Sequence, residues 1–92
     1  MNNQEHEILS ITQEECAEVI QAISKIFRFG LDTEWKGETN REHLEEEIGD
    51  LQAMIQLLIE NNIVDAAQVS SAAFKKKAKL QKWSSISIQN DK

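Results

Sequence analysis

The chain has no proline, a single cysteine and only three glycines in 92 residues. Nothing therefore forces a helix to break in its interior. Because β-branched runs are also short, the sequence reads as all-α. The lone thiol, Cys16, excludes an intrachain disulfide. With the polar start MNNQEHE, which holds no apolar signal segment, it predicts a reducing, cytoplasmic setting. No apolar run approaches the roughly 20 residues that span a bilayer, so no membrane partner is expected. Aromatic residues are few and the net charge is −6, a balance that argues against general nucleic-acid binding. The basic stretch KKKAKLQK, from Lys75 to Lys82, leaves room for a local contact with a polyanion.

A chain of this length makes one domain with a thin core. With no disulfide available, the expected supplement is a bound metal or self-association.

Three helices are expected. The first runs from about Gln4 or Ser10 to Phe29, with Cys16, Val19, Ile20, Ile23, Ile26 and Phe27 as its apolar stripe. Gly30 is placed to end it in a left-handed cap. Gly30 to Thr39, GLDTEWKGET, reads as a loop. A second helix, capped by Thr39 or Asn40, reaches about Asn61. Its Leu44, Ile48, Leu51, Ile55 and Leu58 step by four and three, the spacing of a helix seam. A third helix spans about Asp65 to Trp83, with Asp65 and Gln68 in a capping arrangement. The expected architecture is an antiparallel bundle of three main helices per chain, completed by oligomerisation into a homodimer or homotetramer. Residues 1–83 form its domain, and 84–92 a polar tail.

Carboxylates interrupt this pattern. At about 100° per residue, Glu47 and Asp50 fall inside the buried arc of the second helix, among Met54, Leu57 and Leu58. Glu15 and Glu18 border the stripe of the first helix with the same three-residue spacing. Ionised carboxylates gathered in a core are costly through desolvation and repulsion. A hard divalent cation such as Mg²⁺, which takes oxygen ligands, relieves both. Alone, Glu15 and Glu18 read as border charges paired with Lys25 or Arg28. Two inward pairs of equal spacing make Glu15, Glu18, Glu47 and Asp50 a metal-ligand set.

The stretches EECAEVIQAISKIFRFG and NREHLEEEIGDLQAMIQLLIE carry a resemblance. They are similar to the all-α nucleoside triphosphate pyrophosphatases of the MazG-like superfamily, whose mark is EExxE followed after a variable gap by ExxD. Here these are Glu14-Glu15-Cys16-Ala17-Glu18 and Glu47-Ile48-Gly49-Asp50. The nearest likeness is to small bacteriophage members, which share the RFG turn. The resemblance implies that Glu15, Glu18, Glu47 and Asp50 hold Mg²⁺, with Mn²⁺ as a substitute. It further implies cleavage of a nucleoside triphosphate between its α- and β-phosphates, giving a nucleoside monophosphate and pyrophosphate. Glu14, Glu15 and Glu18 are its candidates for taking the proton from the attacking water. The gap between the motifs is long for the family, because the loop bearing Trp35 is inserted there. Phosphoribosyl-ATP pyrophosphatase is the alternative within this chemistry. A non-catalytic helical interaction module is the alternative outside it.

Other residues keep two readings. Lys25, two turns after Glu18, either reaches a substrate phosphate or serves as a cation near a helix C-terminus. Trp35 either stacks on a nucleobase or anchors its loop to the bundle. Lys79 either meets the polyphosphate or is solvated like its neighbours. His43 lacks the Glu-x-x-His spacing of di-iron bundles and is expected exposed or near substrate. Cys16 is expected to be buried packing, and mid-helix Gly49 marks a close approach by a neighbour.

Overall fold

The computed structural model describes residues 1–88 and has three helices: α1 (Asn3–Phe29), α2 (Asn40–Glu60) and α3 (Ala66–Trp83). The last four residues of the expected polar tail lie outside the described residues. Helix α1 starts earlier than its apolar pattern, because Asn2 and Glu5 cap it reciprocally through side chain and backbone. Thr39 and Glu42 form the same box for α2. Asp65 accepts from the Gln68 amide to start α3.

Gly30 ends α1, its amide donating to Ile26 O at 2.8 Å. Its φ of 103° and ψ of 155° correct the expected left-handed helical cap: the chain leaves α1 through a turn at Leu31 and Asp32. A Cβ there would sit 3.0 Å from Thr33 Oγ1. The expected loop also contains a small antiparallel hairpin, β1 (Glu34–Trp35) and β2 (Glu38–Thr39). Its two turn residues, Lys36 and Gly37, have φ of 54° and 80°, the positive values that match strand twist in a two-residue turn.

Helices α1 and α2 pack antiparallel, with Gln4 Nε2 donating to Asn61 Oδ1 at 2.9 Å across their outer ends. Ile8 of α1 meets Met54 and Leu58 of α2, and Ile63 and Val64 close over them. The buried and partly buried positions of α1 are Glu5, Ile8, Thr12, Glu15, Val19, Ala22 and Ile26, with Lys25 beside the last. These steps of three and four make a regular seam, but it is rotated from the most apolar stripe. Ile20 is 65% exposed, Phe27 86% exposed, and Cys16 exposed. The expected burial of these three is thereby corrected: α2 covers the side of α1 that carries Glu15, and the side carrying Ile20 and Phe27 stays exposed.

Helix α3 has no buried residue, and Phe74 and Trp83 on it are largely exposed. The radius of gyration is 16.0 Å, against about 12 Å for a compact domain of this length. The close approach expected at Gly49 is not made among the described residues, where a Cβ would meet nothing within 4 Å.

With so small a core, single truncations separate clearly. Met54→Ala should lower the unfolding free energy by about 2–4 kcal/mol, while Cys16→Ser should change it by less than about 0.5 kcal/mol. Urea denaturation measures both, and the Cys16 thiol should react with a thiol reagent in the native protein.

Candidate metal centre and adjoining pocket

The register that sets Gln4 against Asn61 also sets Glu15 against Asp50 and Glu18 against Glu47. Reading ExxE and ExxD in opposite directions across an antiparallel pair brings both acids of one helix level with both acids of the other. One carboxylate oxygen from each of Glu15, Glu18, Glu47 and Asp50 lies within 4.8 Å of the others. Burial is uneven. Glu47 is only 8% exposed and Glu15 partly buried, while Glu18 and Asp50 are exposed. The expectation that Asp50 lies within the buried arc is corrected, since the groove between two helices is open on its side.

The electrostatics follow from the crowding. The Glu47 carboxyl is pushed above its ordinary range by a hydrogen bond with Glu18, by burial and by the charge of Glu18, while His43 opposes the shift. Glu15 is raised by burial first, then by Glu18, Asp50 and Glu14. Glu15 Oε2 and Glu47 Oε2 are buried without a hydrogen-bond partner among the described residues. Orphaned oxygens of this kind need a proton or a cation. Four hard oxygen donors on adjacent helix turns fit a hard divalent ion.

His43 Nε2 lies 3.2 Å from Glu47 Oε1. It links the carboxylates to a pocket of about 410 Å³, whose lining includes Lys25, Trp35, Glu38, Asn40 and His43. The pocket's walls are fixed by the loop's own bonds. Asn40 N donates to Thr33 O and Arg41 N to Leu31 O, so loop carbonyls satisfy two amides at the start of α2. Arg41 grips Asp32 with two hydrogen bonds, at 2.8 and 3.1 Å, which hold the Asp32 carboxyl below its usual range.

Trp35 is 66% exposed, so burial does not anchor its loop. Lys36 lies 4.4 Å and Lys25 5.8 Å from its ring centroid, within cation–π range. Glu14 is exposed beside Glu15. Lys79 lies exposed on α3 and is not among the pocket residues. The contribution of Asn40, Glu38 and the hairpin to the pocket was not foreseen. The weak signal available was Lys36-Gly37, a glycine-containing pair between two short polar segments.

The raised carboxyls carry a pH dependence. A carboxyl whose folded pKa exceeds its unfolded value stabilises the fold below that value, and the contribution is lost as pH rises through the folded pKa. For Glu15 and Glu47 the loss begins above 4.5. Asp32 and Glu42, both lowered, act in the opposite sense and only at lower pH. Metal-free protein in chelator should therefore melt at a lower temperature at pH 7 than at pH 5. Mg²⁺ should narrow the gap, as should Glu47→Gln, and thermal melts read both.

The model of the MazG nucleotide pyrophosphohydrolase domain matches the chain over residues 3–84. No curated protein and no solved structure matches it.

Proposed function

The chain belongs to the MazG nucleotide pyrophosphohydrolase family, and on that premise we propose that it hydrolyses nucleoside triphosphates between the α- and β-phosphates with Mg²⁺. The products are a nucleoside monophosphate and pyrophosphate. The observation that carries this reading is the convergence of Glu15, Glu18, Glu47 and Asp50 within 4.8 Å, with two buried oxygens left orphaned. These four residues hold the ion, for which Mn²⁺ can substitute. When bound, Mg²⁺ neutralises the polyphosphate and makes a water in the site more acidic.

The protein groups do the rest. Glu14, Glu15 and Glu18 share one turn of α1, and a carboxylate among them accepts the proton of the attacking water. His43 holds one oxygen of Glu47 and so fixes that carboxylate's orientation. Lys25 lies seven residues beyond Glu18, about 10 Å along the axis at 1.5 Å per residue, and meets the nucleotide on the pocket side. Trp35 stacks on the base. Lys79, exposed on a helix that buries no residue, reaches a polyphosphate across a subunit boundary.

Self-association into a homodimer or homotetramer belongs to the same reading. Its support is the stripe of Cys16, Ile20, Ile23 and Phe27, spaced like a helix seam yet exposed, together with the exposed Phe74 and Trp83 of α3. Sedimentation velocity at micromolar concentration should give a dimer or tetramer. A compact monomer would rule the association out.

Pyrophosphate release, measured with Mg²⁺ across ribo- and deoxyribonucleoside triphosphates, tests the reaction. Losing several kcal/mol of charge stabilisation should make Glu47→Gln and Asp50→Asn at least about 100-fold slower with helicity retained. Trp35→Ala should weaken substrate binding by about 1–3 kcal/mol. A folded wild-type protein that binds no Mg²⁺ and releases no pyrophosphate would instead be an interaction module.

A further inference from the structure

We propose that the pocket beside the carboxylates selects nucleobases bearing an exocyclic amino group over those presenting a carbonyl at that position. Asn40 and Glu38 are its specificity-determining residues. The inference rests on the pyrophosphohydrolase reading and deepens it by naming the class of base.

The starting point is the way Asn40 is held. Its Nδ2 donates to Gly30 O at 2.8 Å and its backbone N to Thr33 O at 3.2 Å. A side-chain amide free to rotate can present either its oxygen or its NH₂, and so accept or donate. Here the NH₂ faces a carbonyl, which can only accept. Turning the amide over would set Oδ1 against Gly30 O, two acceptors with no proton between them. Oδ1 and the second Nδ2 hydrogen are thus what Asn40 has left for a ligand, an acceptor beside a donor.

Glu38 adds to the bias. It lines the same pocket, half-buried, and its carboxylate shows no hydrogen bond or ion pair to protein among the described residues. An ionised carboxylate accepts and cannot donate. Both groups can therefore accept from a ligand's N–H donors, and the Glu38 carboxylate can do nothing else. Cytosine, adenine and guanine each carry an amino group. Uracil and thymine place carbonyl oxygens on either side of their single ring N–H, so a carboxylate approaching that edge meets like partial charge.

The pocket's position suits a base. His43, on its wall, precedes Glu47 by four residues, about 6 Å along α2, and contacts it. Lys25 stands on the opposing helix. His43 marks the side towards the carboxylates, where phosphates belong, while Lys25 lies 5.8 Å from the Trp35 ring centroid. Asn40, Glu38 and Trp35 form the side remote from the carboxylates. The volume, about 410 Å³, lies within the range of small-molecule sites.

Matched pairs differing in amino or oxo group alone provide the test. Nucleoside triphosphates whose α,β-bridging oxygen is replaced by methylene resist cleavage there, so binding is read without turnover. Calorimetry with Mg²⁺ would compare the cytidine with the uridine analogue, and the adenosine with the inosine analogue. The amino member of each pair should bind about tenfold tighter, the equivalent of one well-made hydrogen bond. Asn40→Ala should bring the ratio close to one. Glu38→Gln, which leaves the loop's bonds to α2 intact and turns an acceptor into an amide able to donate, should reduce it independently.

Pairs bound within twofold of each other, a preference for the oxo member, or a ratio unchanged in both variants would overturn the proposal. Pyrophosphate release combined with equal binding would remove the base selection and leave the reaction standing. Selective binding without any pyrophosphate release from the parent nucleotides would support the pocket and remove the reaction.

Discussion

Two helices lying antiparallel in one register bring the acids of α1 and α2 to the same level, and most of the structure's chemistry follows from that alignment. A shift by one residue would rotate the pairs past each other and move Ile8 off Met54 and Leu58. The apolar cluster near the outer end therefore fixes the register, and the register assembles Glu15, Glu18, Glu47 and Asp50 about one to three turns away. The arrangement opposes itself electrostatically, since burial and mutual charge raise Glu15 and Glu47 together. A protein with a larger core could absorb that cost easily. In this chain, with four buried apolar side chains among the described residues, a cation bound between the helices would act on the fold as well as on substrate.

Much of this was legible in the residues, for identifiable reasons. Three helices follow from the periodic apolar positions, and capping residues mark their starts. The four acids stood out because equal spacing on two helices is hard to reconcile with solvated borders. What failed was the choice of face. A helical wheel shows that Cys16, Ile20, Ile23 and Phe27 share a side, but not whether anything covers it. The actual seam passes through Thr12, Glu15, Val19 and Ala22, a less apolar line that brings the acids to the interface.

The pocket was still less legible. Its walls depend on bonds between segments that sequence periodicity does not relate: Asn40 to Gly30, Arg41 to Asp32, and Thr33 to the start of α2. The hairpin has no Asn-Gly or Asp-Gly turn to announce it; Lys36 takes the positive φ instead. Trp35 was noticed as an apolar side chain in a polar loop, yet its setting between Lys25 and Lys36 depends on the folded hairpin.

The hairpin enters and leaves beside one short stretch at the base of α2, where Gly30 to Thr33 are tied to Asn40 and Arg41. Everything between those ties can change in length or composition without disturbing how α1 lies on α2. The segment that would read the base and the segments that would hold the metal are thus separable under selection. Such a scaffold can acquire new substrates by trading one small insertion for another, while the acids that would perform the hydrolysis are inherited unchanged.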